Sequence, residues 1–431
     1  MLVRLLSLAA AALIVATPAL AAKQGRLDGI ARDYVRLTLE IGERDPGYVD
    51  AYYGPADWAA QAKAHPRDLA ALKAETLRLE AAVKAVAPAK SSPIERRRRT
   101  FLAAQLKAAE TRLDMLSGTR FSFEDEAKGL FAARPTLKPL GAYDPVLKKI
   151  DALVPGEGPL WSRVEAFHDR FVIPTDKLDA VMRAAIAECR RRTVAHVALP
   201  ANETFTLEFV KNQPWSGYNW YKGNATSLIQ VNTDFPIRIS RAVDLGCHEG
   251  YPGHHVLNML LEEKLAKGRG WIEFTVYPLF SPQSLIAEGS ANFGIDLAFP
   301  GDERRAFEAG TLYPLAGLDP AQAGRYLELV RAVQALSGAR FTIAADYLAG
   351  RIDKARALDL LQTYQLLSRP RAEQSLSFID KYRSYVINYG LGQDMVRDHV
   401  DAAGPDPAAR WKAMAAVISE PTVPADLTGG R

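Results

Sequence analysis

Between Gly246 and His255 the chain reads Gly-Cys-His-Glu-Gly-Tyr-Pro-Gly-His-His, and three of its seven histidines fall in this run. A helix carrying His-Glu-x-x-His sets two imidazoles one turn apart for a zinc ion and leaves the Glu facing water. Here the residue four places after His248 is Pro252, so a regular helix cannot present that arrangement. His254, six residues on, would lie roughly 120° off the face of His248. Proline removes an amide donor and crowds the preceding turn, and the adjacent Gly253 relaxes the backbone. The two together predict a bulged helix with a two-residue insertion, in which His254 takes the second ligand position. His255 is the second choice, because it would sit about 10.5 Å along the axis from His248.

A site of this kind needs a third protein ligand and an open position. Glu288 is the candidate, in Leu-Ile-Ala-Glu-Gly-Ser-Ala-Asn-Phe-Gly-Ile-Asp (285–296). Asn292 and Asp296 follow it at steps of four on the same helical face, where polar groups can orient imidazole rings. Two imidazoles and a carboxylate suit one Zn²⁺ better than Mg²⁺ or Ca²⁺. Glu249, next to the first ligand, is placed to act as general base.

The rest of the sequence is mainly helical in texture. Helices are expected over 67–86, over 93–116 with Ser92 as cap, and over 175–197 between Pro174 and Pro200. Thr204–Val210 alternates and Thr226–Val231 is rich in β-branched residues, so at least two strands interrupt the helices. Pro214–Gly223, aromatic and glycine-bearing, reads as a hairpin or binding loop between them. After Pro236 the helical texture is expected to hold to the end. The fold class is therefore mainly α with a small β-sheet (α+β). The strand at 226–231, if it forms a sheet edge above the site, could pair with an extended peptide.

The first 21 residues carry one basic residue, an apolar run from Leu5 to Val15 and a small-residue ending at Ala19-Leu20-Ala21, the pattern of a cleaved export signal. The expected organisation is a signal peptide at 1–21, a helical region at 22–199 and a catalytic region at 200–431, separate from or continuous with the former. The mature chain is expected to be exported, periplasmic or secreted, without stable membrane insertion. A net charge of +4 from 54 basic and 50 acidic residues gives no argument for nucleic acid. Cys189 and Cys247 allow one disulfide without demanding it, and two buried small hydrophobes are the preferred reading. The basic runs Arg96–Arg99 and Arg190–Arg192 are read as solvated helix faces. Asp45–Trp58, rich in aromatics, either lines a cleft or packs a helix junction, and packing is the preferred reading.

The run HExxPGHH followed by a downstream Glu-Gly resembles the domain of unknown function 885 family, helical bacterial proteins similar to the thermolysin-like (gluzincin-type) zinc metallopeptidases. That family's EGWALY motif corresponds to Glu288–Phe293, with Ser290, Asn292 and Phe293 departing from it. Its PGQALSYKIG signature corresponds to 383–392, with Tyr389 on the tyrosine and Gly392 on the last glycine. The resemblance implies a zinc-dependent hydrolase of peptide or small amide substrates, with Tyr389, and less strongly Arg383, donating to the oxyanion. The rivals are an exported binding protein that keeps the scaffold and a metallohydrolase of non-peptide amides or esters.

Overall fold

The computed structural model describes residues 26–86 and 92–429, so the signal segment lies outside the described residues. The protein is mainly α-helical with a small β part. The Pro93–Leu116 helix begins where the sequence places it. The Ser92 hydroxyl accepts from the Glu95 amide, while the Ser92 amide donates to the Glu95 carboxylate at 2.8 Å. This reciprocal cap, with proline at the first helical position, satisfies donors that a helix start leaves bare. The 67–86 pattern becomes a helix at Leu69–Lys84, and 175–197 becomes a short tight turn followed by the Leu178–Val194 helix.

The solvated-face reading of Arg96–Arg99 needs correction at Arg98. Consecutive residues fan around a helix, so one of four must face inward. Arg98 is 4% exposed, forks onto both Glu273 oxygens at 2.5 and 3.0 Å, reaches Asp28 at 2.6 Å and lies over Trp271. A buried pair of this kind typically costs about 3–5 kcal/mol when one partner is removed. The preference for Cys189 and Cys247 as separate buried thiols is corrected in favour of the bridge that the sequence left open. They form a disulfide that ties the Leu178–Val194 helix to the residue before His248. Their sequence separation carried no signal of pairing.

Among the described residues, five strands form two sheets. β1 (Val49–Tyr52) pairs antiparallel with β5 (Val276–Pro278). β2 (Thr204–Val210), β3 (Gly217–Gly223) and β4 (Thr226–Asn232) lie in the order β2-β4-β3, parallel between β2 and β4 and antiparallel between β4 and β3. Two expectations fall here. β4 is central, its amides and carbonyls used on both sides, so it offers no edge to a peptide, and the edge positions belong to β2 and β3. β5 also breaks the helical run expected after Pro236.

The chain re-enters the helical regime at Ser240–Leu245 and continues through His254–Leu261, Pro282–Ala298 and Ile387–Asp401. The last two cross at Gly289 and Gly392. A Cβ on Gly289 would lie 2.4 Å from Gly392 backbone atoms, so only glycine permits this approach. Among the described residues no helix is long and apolar enough to cross a membrane.

Candidate metal centre

The proline-glycine interruption breaks the helix outright rather than bulging it. Gly246–Gly250 forms one wide turn, with the Tyr251 amide reaching back five residues to the Gly246 carbonyl. Tyr251 then turns extended, and the helix restarts at His254. Gly253 closes the break. Its amide donates to the Cys247 carbonyl at 3.0 Å, and a Cβ there would fall 1.8 Å from the His248 carbonyl oxygen. The chain thus folds back tightly enough to set His254 beside His248.

The Nε2 atoms of these two rings are 3.1 Å apart. Glu288 Oε2 lies 3.2 Å from the first and 3.7 Å from the second. Three donors on ~2.1 Å arms of a tetrahedron stand about 3.4 Å apart, so the spacing fits a zinc-sized ion. Two further observations fit it. Glu288 Oε2 is buried and accepts no hydrogen bond among the described residues. The two imidazole Nε2 atoms face each other, an orientation in which both can be ligands of one ion.

The supporting shell fixes which atoms are offered. The Asn292 amide nitrogen donates to the Tyr389 carbonyl at 3.0 Å, which leaves its oxygen to accept from His248 Nδ1, also at 3.0 Å. With the proton on Nδ1, His248 presents the Nε2 lone pair to the site. Tyr385 donates to Glu288 Oε1 at 2.8 Å and leaves Oε2 for the centre. Asp296, the next residue on that face, instead accepts from Arg397 at 3.0 Å and makes no contact with either ring.

Burial alone would raise the Glu288 pKa, but the two imidazoles outweigh it and hold the carboxyl well below the usual range. Burial likewise opposes charge on His254, yet the Glu288 carboxylate lifts it to about 9. Glu249 is buried, and desolvation raises its pKa in spite of the neighbouring histidines. Its carboxylate offers an atom within 4.8 Å of ring nitrogens of both His248 and His254. The Glu249 carbonyl is held from β3 by the Asn219 side chain at 2.7 Å.

These groups open into a cavity of about 620 Å³. Trp215, Gly217, Tyr218 and Asn219 from β3 and the loop before it line the cavity, as do Phe378, Tyr382, Tyr385 and Tyr389. The Tyr389 ring stacks on His248 at 6.5 Å. Asp50 of β1 also lines the cavity and accepts from the Tyr218 hydroxyl. Burial pushes the Asp50 carboxyl up to about 6. So the aromatic segment 45–58, read as packing, contributes to the cleft.

The other sequence candidates lie elsewhere. His255 is fully buried, bonded through Nδ1 to the Ser227 hydroxyl at 2.8 Å and through Nε2 to Glu203 at 3.1 Å, and faces away from the centre. Arg383 is bound by Glu126 at 2.8 Å and is not among the residues lining the cavity. Sequence reasoning missed Tyr385, Tyr218, Asp50 and Arg340. Tyr385 stood in the 383–392 motif, four residues before Tyr389, and that helical spacing was the available signal.

No family model matches the chain, and no curated protein matches it. Among solved structures it is similar in fold to a candidate lipoprotein from Colwellia psychrerythraea, at 14% identity and a TM-score of 0.51. That match covers 83% of this chain and 65% of the Colwellia protein, so the chain spans about two thirds of that relative's length. A candidate lipoprotein of unknown function from Shewanella oneidensis aligns at 14% identity and a TM-score of 0.45, over 91% of this chain and 82% of its own. The M32 carboxypeptidase from Deinococcus radiodurans R1 aligns at 14% identity and a TM-score of 0.39, over 93% of each chain.

Proposed function

We propose that this chain is an exported zinc-dependent hydrolase, a peptidase that cleaves a peptide or related amide bond. One observation carries the reading: His248, His254 and Glu288 point three donor atoms at one another, within 3.7 Å, in a cavity that also holds the Glu249 carboxylate. The resemblance of the 248–255, 288–293 and 383–392 motifs to the domain of unknown function 885 family supports it. Export is supported by the signal-like first 21 residues and by the Cys189–Cys247 disulfide, a bond that persists in oxidising compartments.

His248, His254 and Glu288 would hold a zinc ion, which would supply Lewis acidity toward the scissile carbonyl and the attacking water. The remaining work falls to the chain. Glu249, its affinity for a proton raised by burial, takes the proton of the attacking water and passes it to the leaving amine. Tyr389 keeps its proton at neutral pH, because burial and the Glu288 charge push its pKa well up. Its hydroxyl is the donor assigned to the carbonyl oxygen as negative charge develops there. The edge strand β3, whose first residues line the cavity, takes over the peptide-pairing role that central β4 cannot fill.

The test is turnover of a quenched fluorescent peptide pool by the zinc-loaded protein and by its Glu249→Gln variant. Loss of a positioned general base should lower kcat by about 10²–10⁴-fold with metal content unchanged. Equal turnover by the two proteins, or none by either, would contradict the assignment.

A further inference from the structure

Four arginines line the cavity, and three of them are neutralised. Arg241 reaches Asp244 at 3.4 Å, Arg304 binds Asp244 and Glu308 at 2.8 Å each, and Arg371 reaches Glu165 at 3.3 Å. Arg340 differs. Among the described residues it makes no ion pair, its Nε is buried without an acceptor, and its guanidinium lies over the Phe378 ring at 5.1 Å. Desolvation lowers its pKa, and of titratable side chains only Tyr389 acts on it, a tyrosine that stays protonated. The protein itself therefore supplies no anion to this guanidinium.

Leaving a guanidinium in a cavity without an acceptor is costly, because the charge loses water and gains nothing in return. A ligand that brings a planar anion removes that cost. The guanidinium fork matches a carboxylate in two parallel hydrogen bonds, and the aromatic face beneath holds the fork in one plane. Phe378 packs on Tyr389 at 6.1 Å and Tyr389 stacks on His248, so the unpaired charge is joined to the metal-ligating end by one aromatic wall. None of the acids lining the cavity, Asp50, Asp244, Glu249, Glu288 and Asp296, pairs with Arg340.

We propose that Arg340 receives a carboxylate of the substrate, so that the cavity selects peptides carrying a free carboxylate beyond the scissile bond. This rests on the hydrolase reading for its substrate class, but the binding step can be tested apart from turnover. Two sources of the same chemistry exist, the C-terminal carboxylate and an Asp or Glu side chain.

The experiment measures calorimetric affinities on the zinc-loaded Glu249→Gln background, where peptides bind without being cut. The probes are N-acetyl-tetraalanine as free acid, the same peptide as C-terminal amide, and an amidated peptide with one internal Asp. With Arg340 present, a carboxylate-bearing peptide should bind roughly 10- to 100-fold more tightly than the neutral amide. Preference for the free acid assigns the C-terminus, and preference for the Asp peptide assigns a side chain. Adding Arg340→Gln should abolish the preference while leaving affinity for the neutral amide unchanged. If that variant does not fold, as judged by its melting curve, Arg340→Lys is used. It keeps the charge but loses the planar fork, and it should reduce the preference at least severalfold. Equal affinity for all three peptides in the parent, or an undiminished preference in the Arg340 variants, overturns the proposal. If Glu249-intact protein cuts no peptide while the carboxylate preference stands, the hydrolase reading falls and the carboxylate site remains.

Discussion

At the scale of single residues, the centre depends as much on the groups behind the ligands as on the ligands. Asn292 stands where the resembling family carries leucine, yet it fixes the proton of His248 on Nδ1 and is itself held by the Tyr389 carbonyl. Asn292→Ala should leave the fold intact and weaken zinc binding by about 10–100-fold, read by competition with a chromogenic chelator. Unchanged affinity would mean that the ring is oriented by something else. His248, His254 and Glu288 could be singled out from sequence as candidate ligands because three of the seven histidines cluster in one run and Glu288 stands among mostly apolar neighbours. Arg340 could not. An arginine in a helical run usually faces water, and nothing in its neighbours announces that its acceptor is missing.

At the scale of elements, the distance between the helix that carries Glu288 and the helix that carries Tyr389 is set by glycine. The Pro282–Ala298 helix carries Glu288 and Asn292, and the Ile387–Asp401 helix carries Tyr389, with Tyr385 in the tight turn just before it. Their crossing at Gly289 and Gly392 is so close that a Cβ on Gly392 would stand 2.7 Å from the Leu285 carbonyl oxygen. That oxygen belongs to a helix backbone and cannot swing aside. Gly392→Ala should destabilise the protein by about 1–3 kcal/mol in thermal unfolding and lower turnover by moving Tyr389 off His248. A variant that melts and turns over like the parent would refute the role of the crossing. Strand positions at 204–210 and 226–231 were legible from alternation and β-branching. Their neighbours were not, since side-chain period says which face is buried and nothing about which strand lies beside it. That is why the sequence left open whether β4 is an edge strand or, as it is, central, and why β1 and β5, short and far apart in sequence, were not foreseen as a pair.

At the scale of the whole molecule, segments far apart in the chain converge on one cavity. Asp50 comes from β1, Glu249 from the broken helix and Tyr389 from near the C-terminus. The expected division at residue 199 does not separate the cavity lining, since Asp50 precedes it. The fold also carries an acid-sensitive point away from the centre. His168 is desolvated and lies 3.3 Å from the Arg238 guanidinium, and these two effects depress its pKa to about 4. Its unfolded value is about 6.5, so above that pH the ring is neutral in both states and costs nothing. Below it the unfolded chain gains a proton that the folded chain refuses. Stability should therefore fall between about pH 6.5 and 4, by at most about 3 kcal/mol, and level off below. Urea unfolding across that range should show the slope in the parent and a smaller slope in His168→Asn. An identical slope in both would exclude His168 as its source.

The proposed function requires one cation held by His248, His254 and Glu288. The most direct measurement is zinc per chain by elemental analysis after dialysis, in the parent and in Glu288→Ala. One equivalent in the parent, falling to a small fraction in the folded variant, is the predicted result. A metal-free parent after zinc loading, or a variant that keeps its full equivalent, would contradict it.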